Sequence, residues 1–224
     1  MLIHGLLAAS LALTGTPAAT APAKIDCAKV KCLALTFDDG PGAHTAKLLR
    51  ILKKERAKAT FFLTGKYVEQ RPGLAKRMLA EGHEVGTHTY SHFSLTSRLY
   101  DEIHEDMKAG RDAITAATGR RPTMFRPPYG HTDERVLDAA YQLDMAEVKW
   151  TGTTHDWELK DTKKIKAKVL SLVKRDGIIL MHDTVPQTVA AMPGVIKELK
   201  KRGYHLVTVP QLYGGKLQVG VRYP

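Results

Sequence analysis

Short runs of apolar or alternating residues recur along the chain, and stretches with helical periodicity separate them. Runs of this length that end at turn residues are typical of buried β-strands. The strand-like runs cover residues 33–37, 58–64, 83–87, 123–126, 145–151, 178–182 and 205–209. Helical patterns lie between them, over residues 43–56, 68–81, 95–118, 132–142, 161–175 and 188–202.

This alternation of strands and helices predicts an α/β fold built on a parallel sheet. About seven strands in a chain of 224 residues favour a (β/α) barrel, although the pattern alone does not exclude an open sheet. Residues 24–224 are expected to form a single domain, because the length suits one domain and no linker or repeat is visible. Residues 214–224 read as an appended tail.

Polar clusters follow five of the predicted strands on their carboxyl-terminal side. In a (β/α) barrel these strand ends meet on one face, which is where active sites lie. We therefore expect the clusters to form one site. They are Asp38-Asp39, His88 to His92, Arg126 to Tyr129, Asp156-Trp157 and His182-Asp183.

The first two clusters together indicate a metal site. His88 and His92 are spaced so that both imidazoles can reach one cation. One carboxylate of the Asp38-Asp39 pair would complete a three-ligand catalytic site, and the other would stay free as a general base. The alternative interpretations are two surface histidines and a pair of acids that only cap a turn. We favour the metal site, because Gly40-Pro41-Gly42 already supplies the turn.

The remaining clusters supply candidate partners for such a site. Two prolines after Arg126 would hold its side chain and the Tyr129 amide rigidly, which suits a carboxylate and an oxyanion, respectively. Trp157 could stack on a sugar ring or plug the barrel rim. His182 is a candidate general acid, and the alternative is a structural histidine. Surface or packing roles are assigned to His4, His44, His83, His104, His131, His155 and His205.

The first 23 residues differ from the rest, because they contain no Asp, Glu, Lys or Arg. A short apolar run over residues 6–13 precedes a small-residue stretch that ends Ala21-Pro22-Ala23. This pattern predicts a signal peptide over residues 1–23 and a secreted protein, and the run is too short for a membrane span. A disordered or core-capping terminus is the alternative.

Cys27 and Cys32, the two cysteines of the chain, are expected to form one disulfide after export.

Composition is that of a globular protein with a real core, at 43% hydrophobic and 25% charged residues. The net charge is +11, and many of the cations lie on predicted helices, within residues 163–168, 174–175 and 197–202. Solvated helix faces explain these cations, and attraction to an anionic cell-wall polymer is the functional alternative. No nucleic-acid module is visible, so a nucleic-acid partner is not expected, and neither is an oligomer.

The motifs together resemble the polysaccharide deacetylases, the carbohydrate esterase family also called NodB-homology domains. The resemblance runs from about Val30 to Leu212 and includes the family's five motifs in order. One position departs from the pattern, since the leading Asp of the fourth motif would fall at Thr153. The matching segments are Thr36-Phe37-Asp38-Asp39-Gly40, His88-Thr89-Tyr90-Ser91-His92, Arg126-Pro127-Pro128-Tyr129, Asp156-Trp157 and Leu180-Met181-His182.

The resemblance implies a distorted, incomplete (β/α) barrel and deacetylation of an acetylated polysaccharide. It implies Asp39, His88 and His92 as ligands of one divalent metal, with zinc expected and cobalt or nickel also suited to these ligands. It implies a catalytic set and a substrate-binding set around that metal. The catalytic set is the base Asp38, the base-holding Arg126, the acid His182 and Asp156 in the same network. The substrate-binding set is Pro127, Tyr129, Trp157 and Leu180.

Three other activities remain open at this point. An acetylxylan esterase would use the same scaffold on ester bonds. An iron oxygenase with two histidines and one carboxylate would share the metal site, but it has no use for Asp38 or His182. A non-catalytic glycan-binding module would keep Trp157 and the basic faces without needing a base, an acid and metal ligands together.

Overall fold

The strands of the sheet all run parallel, as the β/α alternation predicts. The computed structural model describes Met1 and residues 25–224, so the predicted signal peptide otherwise lies outside the described residues. Within the described part the strands are β1 (Lys31–Asp38), β2 (Thr60–Leu63), β3 (Glu84–Thr87), β4 (Met124–Phe125), β5 (Ala146–Val148), β6 (Gly152–Thr153), β7 (Gly177–His182), β8 (Tyr204–Val207) and β9 (Arg222–Tyr223).

Helices follow most of these strands and cover the outside of the sheet. In the described part of the chain none is long and apolar enough to cross a membrane. Short 3-10 turns cover Leu95–Ser97 and Pro128–Gly130. The helices are α1 (Thr45–Lys54), α2 (Gly65–Gln70), α3 (Pro72–Ala80), α4 (Tyr100–Thr118), α5 (Glu134–Gln142), α6 (Asp156–Leu159), α7 (Thr162–Leu172), α8 (Pro186–Lys201) and α9 (Val209–Leu212).

The sheet is an open, curled barrel with β1 near its centre. The strand order is β6-β7-β1-β2-β3-β4-β5-β9, and β8 pairs with the first half of β1. The edge strands β6 and β9 are not paired with each other, so the barrel is incomplete. This architecture confirms the distorted (β/α) barrel, with more strands than the seven expected.

Alternation along β1 decides which side chains reach the barrel interior. Leu33, Leu35 and Phe37 pack in the main hydrophobic core, together with residues of α1, α3 and α8. The alternate residues Thr36 and Asp38 point the other way, toward a buried arginine inside the sheet. The strand therefore carries Asp38 to the mouth of the barrel on its inner face.

Several predicted boundaries differ from those of the structure, among them the helix over 68–81 and the strand over 145–151. The helix expected over 68–81 is divided into α2 and α3, because Pro72 starts the second helix and Arg71 before it is non-helical, with φ −139° and ψ 52°. The strand expected over 145–151 ends at Val148, and a separate strand β6 follows.

Residues 214–224 are not the appended tail that the sequence suggested. Arg222 and Tyr223 form β9 beside β5, and Arg222 Nε donates a 2.8 Å hydrogen bond to the buried Glu147. Leu217 is buried as well. The segment thus completes one edge of the sheet. The disulfide between Cys27 and Cys32 is formed, as predicted, at the opposite end of β1 from Asp38.

Candidate active site

The carboxyl-terminal strand ends converge on one cavity of about 450 Å³. Asp38 at the end of β1 is the register partner of His182 at the end of β7. The predicted site residues that line the cavity are Asp38, Asp39, His88, His92, Pro127, Tyr129, Trp157, Leu180 and His182. Arg126 and Asp156 lie behind this lining and contact it from within the protein.

Asp39, His88 and His92 form a compact group whose ligand atoms all lie within 4.8 Å of one another. Asp39 Oδ1 is 3.0 Å from His92 Nε2 and 3.5 Å from His88 Nε2. The same Oδ1 is buried without a hydrogen bond of good geometry. Three donor atoms that face one point but do not bond well to each other fit a shared cation.

The tautomer of His88 also suits a metal ligand. Its Nδ1 lies 2.7 Å from the carbonyl oxygen of Arg126, so Nδ1 carries the proton and Nε2 offers its lone pair to the site. Burial lowers the pKa of His88, although the charges of Asp38 and Asp39 partly oppose it. The imidazole is therefore held neutral, which is the state that binds a metal.

Asp39 is held as a carboxylate. Burial acts to raise its pKa, but the contact with His92, 3.0 Å from Oδ1, and the charge of His182 hold that pKa far below the ordinary value. Its backbone is in the left-handed region, with φ 70°. Arg126 contacts Asp38 at 2.8 Å and His92 contacts Asp39 at 3.0 Å, while His88 Nε2 lies within 4 Å of both carboxylates.

The loop between His88 and His92 is held by a residue that sequence reasoning missed. Asp106 of α4 is nearly buried and accepts hydrogen bonds from the backbone amides of Tyr90 at 3.2 Å and Ser91 at 3.1 Å. A buried carboxylate that binds two amides fixes the curl of this loop. Nothing in the helical pattern around Asp106 indicated this role.

Asp38 and Arg126 form a buried ion pair, as the resemblance implied. Arg126 Nη1 donates to Asp38 Oδ1 at 2.8 Å and to Thr36 Oγ1 at 2.7 Å. Both charged side chains are almost completely buried. Because Oδ1 is occupied by the guanidinium, Oδ2 is the oxygen of Asp38 left to act on a group in the cavity.

Arg126 itself is locked in place from several sides. Its Nε and Nη2 donate to the carbonyl oxygens of Val148 at 3.0 Å and Lys149 at 2.6 Å. The guanidinium also lies 4.1 Å from the ring centre of Phe62. These contacts fix the direction from which Arg126 approaches Asp38.

His182, on the strand next to that of Asp38, is held by Asp156. Its Nδ1–H donates to Asp156 Oδ1 at 2.8 Å, and its backbone N–H donates to Oδ2 at 2.8 Å. Burial acts to lower the pKa of His182, but the hydrogen bond and charge of Asp156 outweigh it and raise this pKa to about 9. His182 therefore presents Nε2 to the cavity, 3.9 Å from Asp39 Oδ2, with a proton on it at neutral pH.

Comparison with known proteins shows which family this chain resembles in sequence and fold. A family model described as polysaccharide deacetylase matches residues 26–148. Peptidoglycan N-acetylglucosamine deacetylase of Listeria monocytogenes is 39% identical over 194 residues, which cover 86% of this chain and 41% of that protein. The chain thus spans about two fifths of the length of this relative. The chain belongs to the polysaccharide deacetylase family.

Other family members match over most of their own length. Chitooligosaccharide deacetylase of a Bradyrhizobium strain is 34% identical over 204 residues, covering 84% of this chain and 93% of that protein. The solved structure of T48 deacetylase with substrate superposes with a TM-score of 0.85 at 38% identity, covering 89% of this chain and 100% of that one. The similarity to these polysaccharide deacetylases extends through the whole described barrel.

In the present chain, the walls of the cavity are aromatic and apolar. Tyr129 is 62% exposed and stands on one side, with its ring centre 5.0 Å from that of His92. Trp157 stands on the other side, edge-on to His182 with ring centres 5.0 Å apart, and the largely buried Leu180 lies at the base. Such walls suit the faces of sugar rings and an acetyl methyl group.

The backbone at Tyr129 also matches the expectation of a rigid amide. Pro127 and Pro128 precede it, and Tyr129 has a positive φ of 60°. Its N–H donates to no other residue in the described part of the chain. Tyr129 is also one of the residues that line the cavity.

Several cavity residues were not identified from the sequence. His155 was assigned to surface or packing, but it lines the cavity with its ring centre 5.0 Å from Trp157. Trp150 was placed in a strand, yet it too lines the cavity. Thr153, where the family pattern has Asp, also lies in the lining. His155 and Trp150 lie in loops, which have no periodic signal, and this is why the sequence did not reveal their place in the lining.

Proposed function

We propose that this chain is a metal-dependent hydrolase that removes N-acetyl groups from glucosamine-type units of a polysaccharide, either peptidoglycan or chitin-type oligomers. One observation carries the proposal. Asp38, oriented by Arg126, and His182, oriented by Asp156, face one cavity from adjacent strands, with the Asp39, His88 and His92 group beside them. A base, an acid and a ligand group in one cavity suit hydrolysis.

The donor set of Asp39, His88 and His92 would hold one divalent cation, with zinc expected and cobalt or nickel also suited to it. When bound, the cation supplies a Lewis acid that activates water and polarises the acetyl carbonyl. The neutral His88 and the ionised Asp39 are already in the protonation states that such a cation requires.

Asp38 would act as the general base. Its Oδ1 is held by Arg126, so Oδ2 takes the proton of the attacking water as the oxygen–carbon bond forms. The Tyr129 N–H donates to the oxygen of the acetyl carbonyl as negative charge develops there. Pro127, Tyr129, Trp157 and Leu180 enclose the sugar and its acetyl group.

His182 would act as the general acid. Its Nε2 gives a proton to the sugar nitrogen as the carbon–nitrogen bond breaks, which yields acetate and a free amine. Asp156 does not line the cavity, so it is a positioning residue that keeps His182 protonated and aimed. An amine is a poor leaving group unless it is protonated, so this acid favours amide substrates.

The place of action that fits this chemistry is outside the cell. A disulfide between Cys27 and Cys32 suits an oxidising compartment, and a net charge of +11 suits an anionic wall polymer. Secretion, the signal peptide over residues 1–23 and a monomeric state remain predictions.

Acetate release from an N-acetyl chitooligosaccharide, from peptidoglycan and from acetylated xylan tests the proposal, with wild type and His182→Ala compared. The variant should lose far more rate on the amide substrates than on the ester. Brisk release from xylan with none from the other two substrates would replace the proposal with an acetylxylan esterase. No acetate from any of them, together with retained glycan binding, would indicate a binding module.

A further inference from the structure

A second cavity of about 440 Å³ adjoins the first one. The two share Asp39, His92 and Thr184 in their walls. The far wall of the second cavity comes from α2 and the residue after it, including Lys66, Tyr67, Gln70 and Arg71. A glycan whose acetyl group lies beside Leu180 can therefore extend a neighbouring substituent past His92 into this space.

The two cavities differ in charge. Among the described residues that line the first cavity there is no lysine or arginine, and its walls are mainly aromatic, imidazole and carboxylate. The second cavity has Lys66 and Arg71 on its wall, with Asp39 as its acidic residue. Asp39 is the one carboxylate among the described residues that line this cavity, and its Oδ1 lies 3.5 Å from His88 Nε2 and 3.0 Å from His92 Nε2.

Lys66 and Arg71 are not used in ion pairs with other described residues. Lys66 Nζ donates to the carbonyl oxygen of Ser91 at 3.2 Å, and Arg71 donates to Gln70 Oε1 at 3.2 Å. The nearby acid Glu69 instead accepts a 2.9 Å hydrogen bond from Tyr90. Each cation keeps further N–H donors for a ligand.

We propose that Lys66 and Arg71 bind a carboxylate on the substrate, so that the chain prefers a carboxylate-bearing glycan of the peptidoglycan type to a neutral chitin-type oligomer. This inference rests on the proposed function and names its substrate class. Arginine and lysine form charge-assisted hydrogen bonds with a carboxylate, and a cation-lined recess raises the local concentration of an anionic polymer. In muramic acid units the carboxylate comes from the lactyl ether or from the attached peptide.

Three glycans of equal length test this inference. They are chitotetraose, a tetrasaccharide of alternating N-acetylglucosamine and N-acetylmuramic acid without peptide, and the same tetrasaccharide with its peptides. Acetate release gives kcat/KM for each at low and high NaCl. The enzyme variants are the double change Lys66→Gln with Arg71→Gln and a matched control, Lys163→Gln with Lys164→Gln. The control removes the same charge from the exposed face of α7.

Wild type should prefer the carboxylate-bearing glycans by about tenfold or more in kcat/KM, mainly through KM, and NaCl should reduce this preference. In the Lys66 and Arg71 double variant, the ratio of kcat/KM for carboxylate-bearing glycans to that for chitotetraose should fall close to one. The α7 control should retain the wild-type ratio. A preference for the peptide-free muramic glycan assigns the lactyl carboxylate, and a preference for the peptide-bearing one alone assigns the peptide.

An equal kcat/KM for the three glycans in wild type, or a preference that survives in the double variant, would overturn the inference and leave deacetylation standing. Absence of acetate from every glycan with metal-loaded wild type would instead overturn the proposed function. The two failures are thus distinguished by whether metal-loaded wild type releases acetate from at least one of the three glycans.

Discussion

His182 and Asp156 are joined twice, through the Nδ1–H of the ring and through the backbone N–H, at 2.8 Å in each case. The carboxylate therefore fixes both the position of the residue and the orientation of its ring. Thr188 donates to the same carboxylate at 2.6 Å, which leaves Asp156 fully engaged. A histidine held in this way keeps one nitrogen, Nε2, for the cavity.

The pH dependence of acetate release should follow His182. An acid works only while protonated, so kcat/KM should fall as pH rises through about 9, the pKa to which Asp156 raises His182 against the effect of burial. Asp156→Asn removes that charge and keeps the shape, so its alkaline limb should move to lower pH. Thr188→Val is the control, since it retains the charge of Asp156.

Metal content should separate the two neighbouring acids. Asp39→Asn and His92→Ala should lose bound metal and activity, because each removes one of three ligands. Asp38→Asn should keep the metal and lose at least about a hundredfold in rate, which is typical of a lost general base. Elemental analysis measures the bound metal, and acetate release measures the rate. A metal-free Asp38→Asn protein with a metal-loaded Asp39→Asn protein would reverse the assignments.

Stability should depend strongly on Arg126. Replacing it with Met leaves the Asp38 carboxylate buried without its ion pair, and breaking a buried pair costs about 3–5 kcal/mol of unfolding free energy. Arg121→Met is a matched control, because Arg121 and Asp144 form a pair that is half exposed or more, at 3.0 Å. Its loss should cost about 1 kcal/mol or less. Urea unfolding of both variants measures the difference, and equal losses would contradict it.

The disulfide should matter for stability and hardly for rate. It closes a loop of five-residue separation at the amino-terminal end of β1, away from the cavity. The chain-entropy estimate for so short a loop is about 2 kcal/mol. Unfolding with and without reductant measures this loss, while acetate release should change by less than about twofold. Two free thiols in protein from an oxidising compartment would show that the bridge does not form there.

Much of the barrel could be predicted from the sequence because buried parallel strands and amphipathic helices leave clear periodic patterns. Leu33, Leu35 and Phe37 are an example, since their spacing matches their place in the core. β9 could not be predicted in this way. It has two residues, and its pairing with β5 depends on a contact between Arg222 and Glu147 far apart in the chain.

For the candidate site, the sequence revealed the residues that follow strand ends and missed those that support them. Asp38 and His182 stood out because apolar runs stop at them. Asp106 did not, because a single acid in a helical pattern does not show which loop it contacts. His155 and Trp150 lie in loops whose course depends on the folded barrel. Roles set by three-dimensional contacts therefore required the structure.

The central position of β1 sets the order in which the molecule can fold. This strand lies early in the chain, but it pairs with β7 and β8, which come late. In the register of these pairings, Cys32 lies opposite His205 and Asp38 lies opposite His182. Contacts so distant in sequence are slow to form. During synthesis β1 can pair early with β2, but its pairing with β7 and β8 requires almost the whole chain. Asp38 and His182 lie side by side only after β7 has joined β1, so a chain that stops before β7 cannot assemble the proposed pair of base and acid.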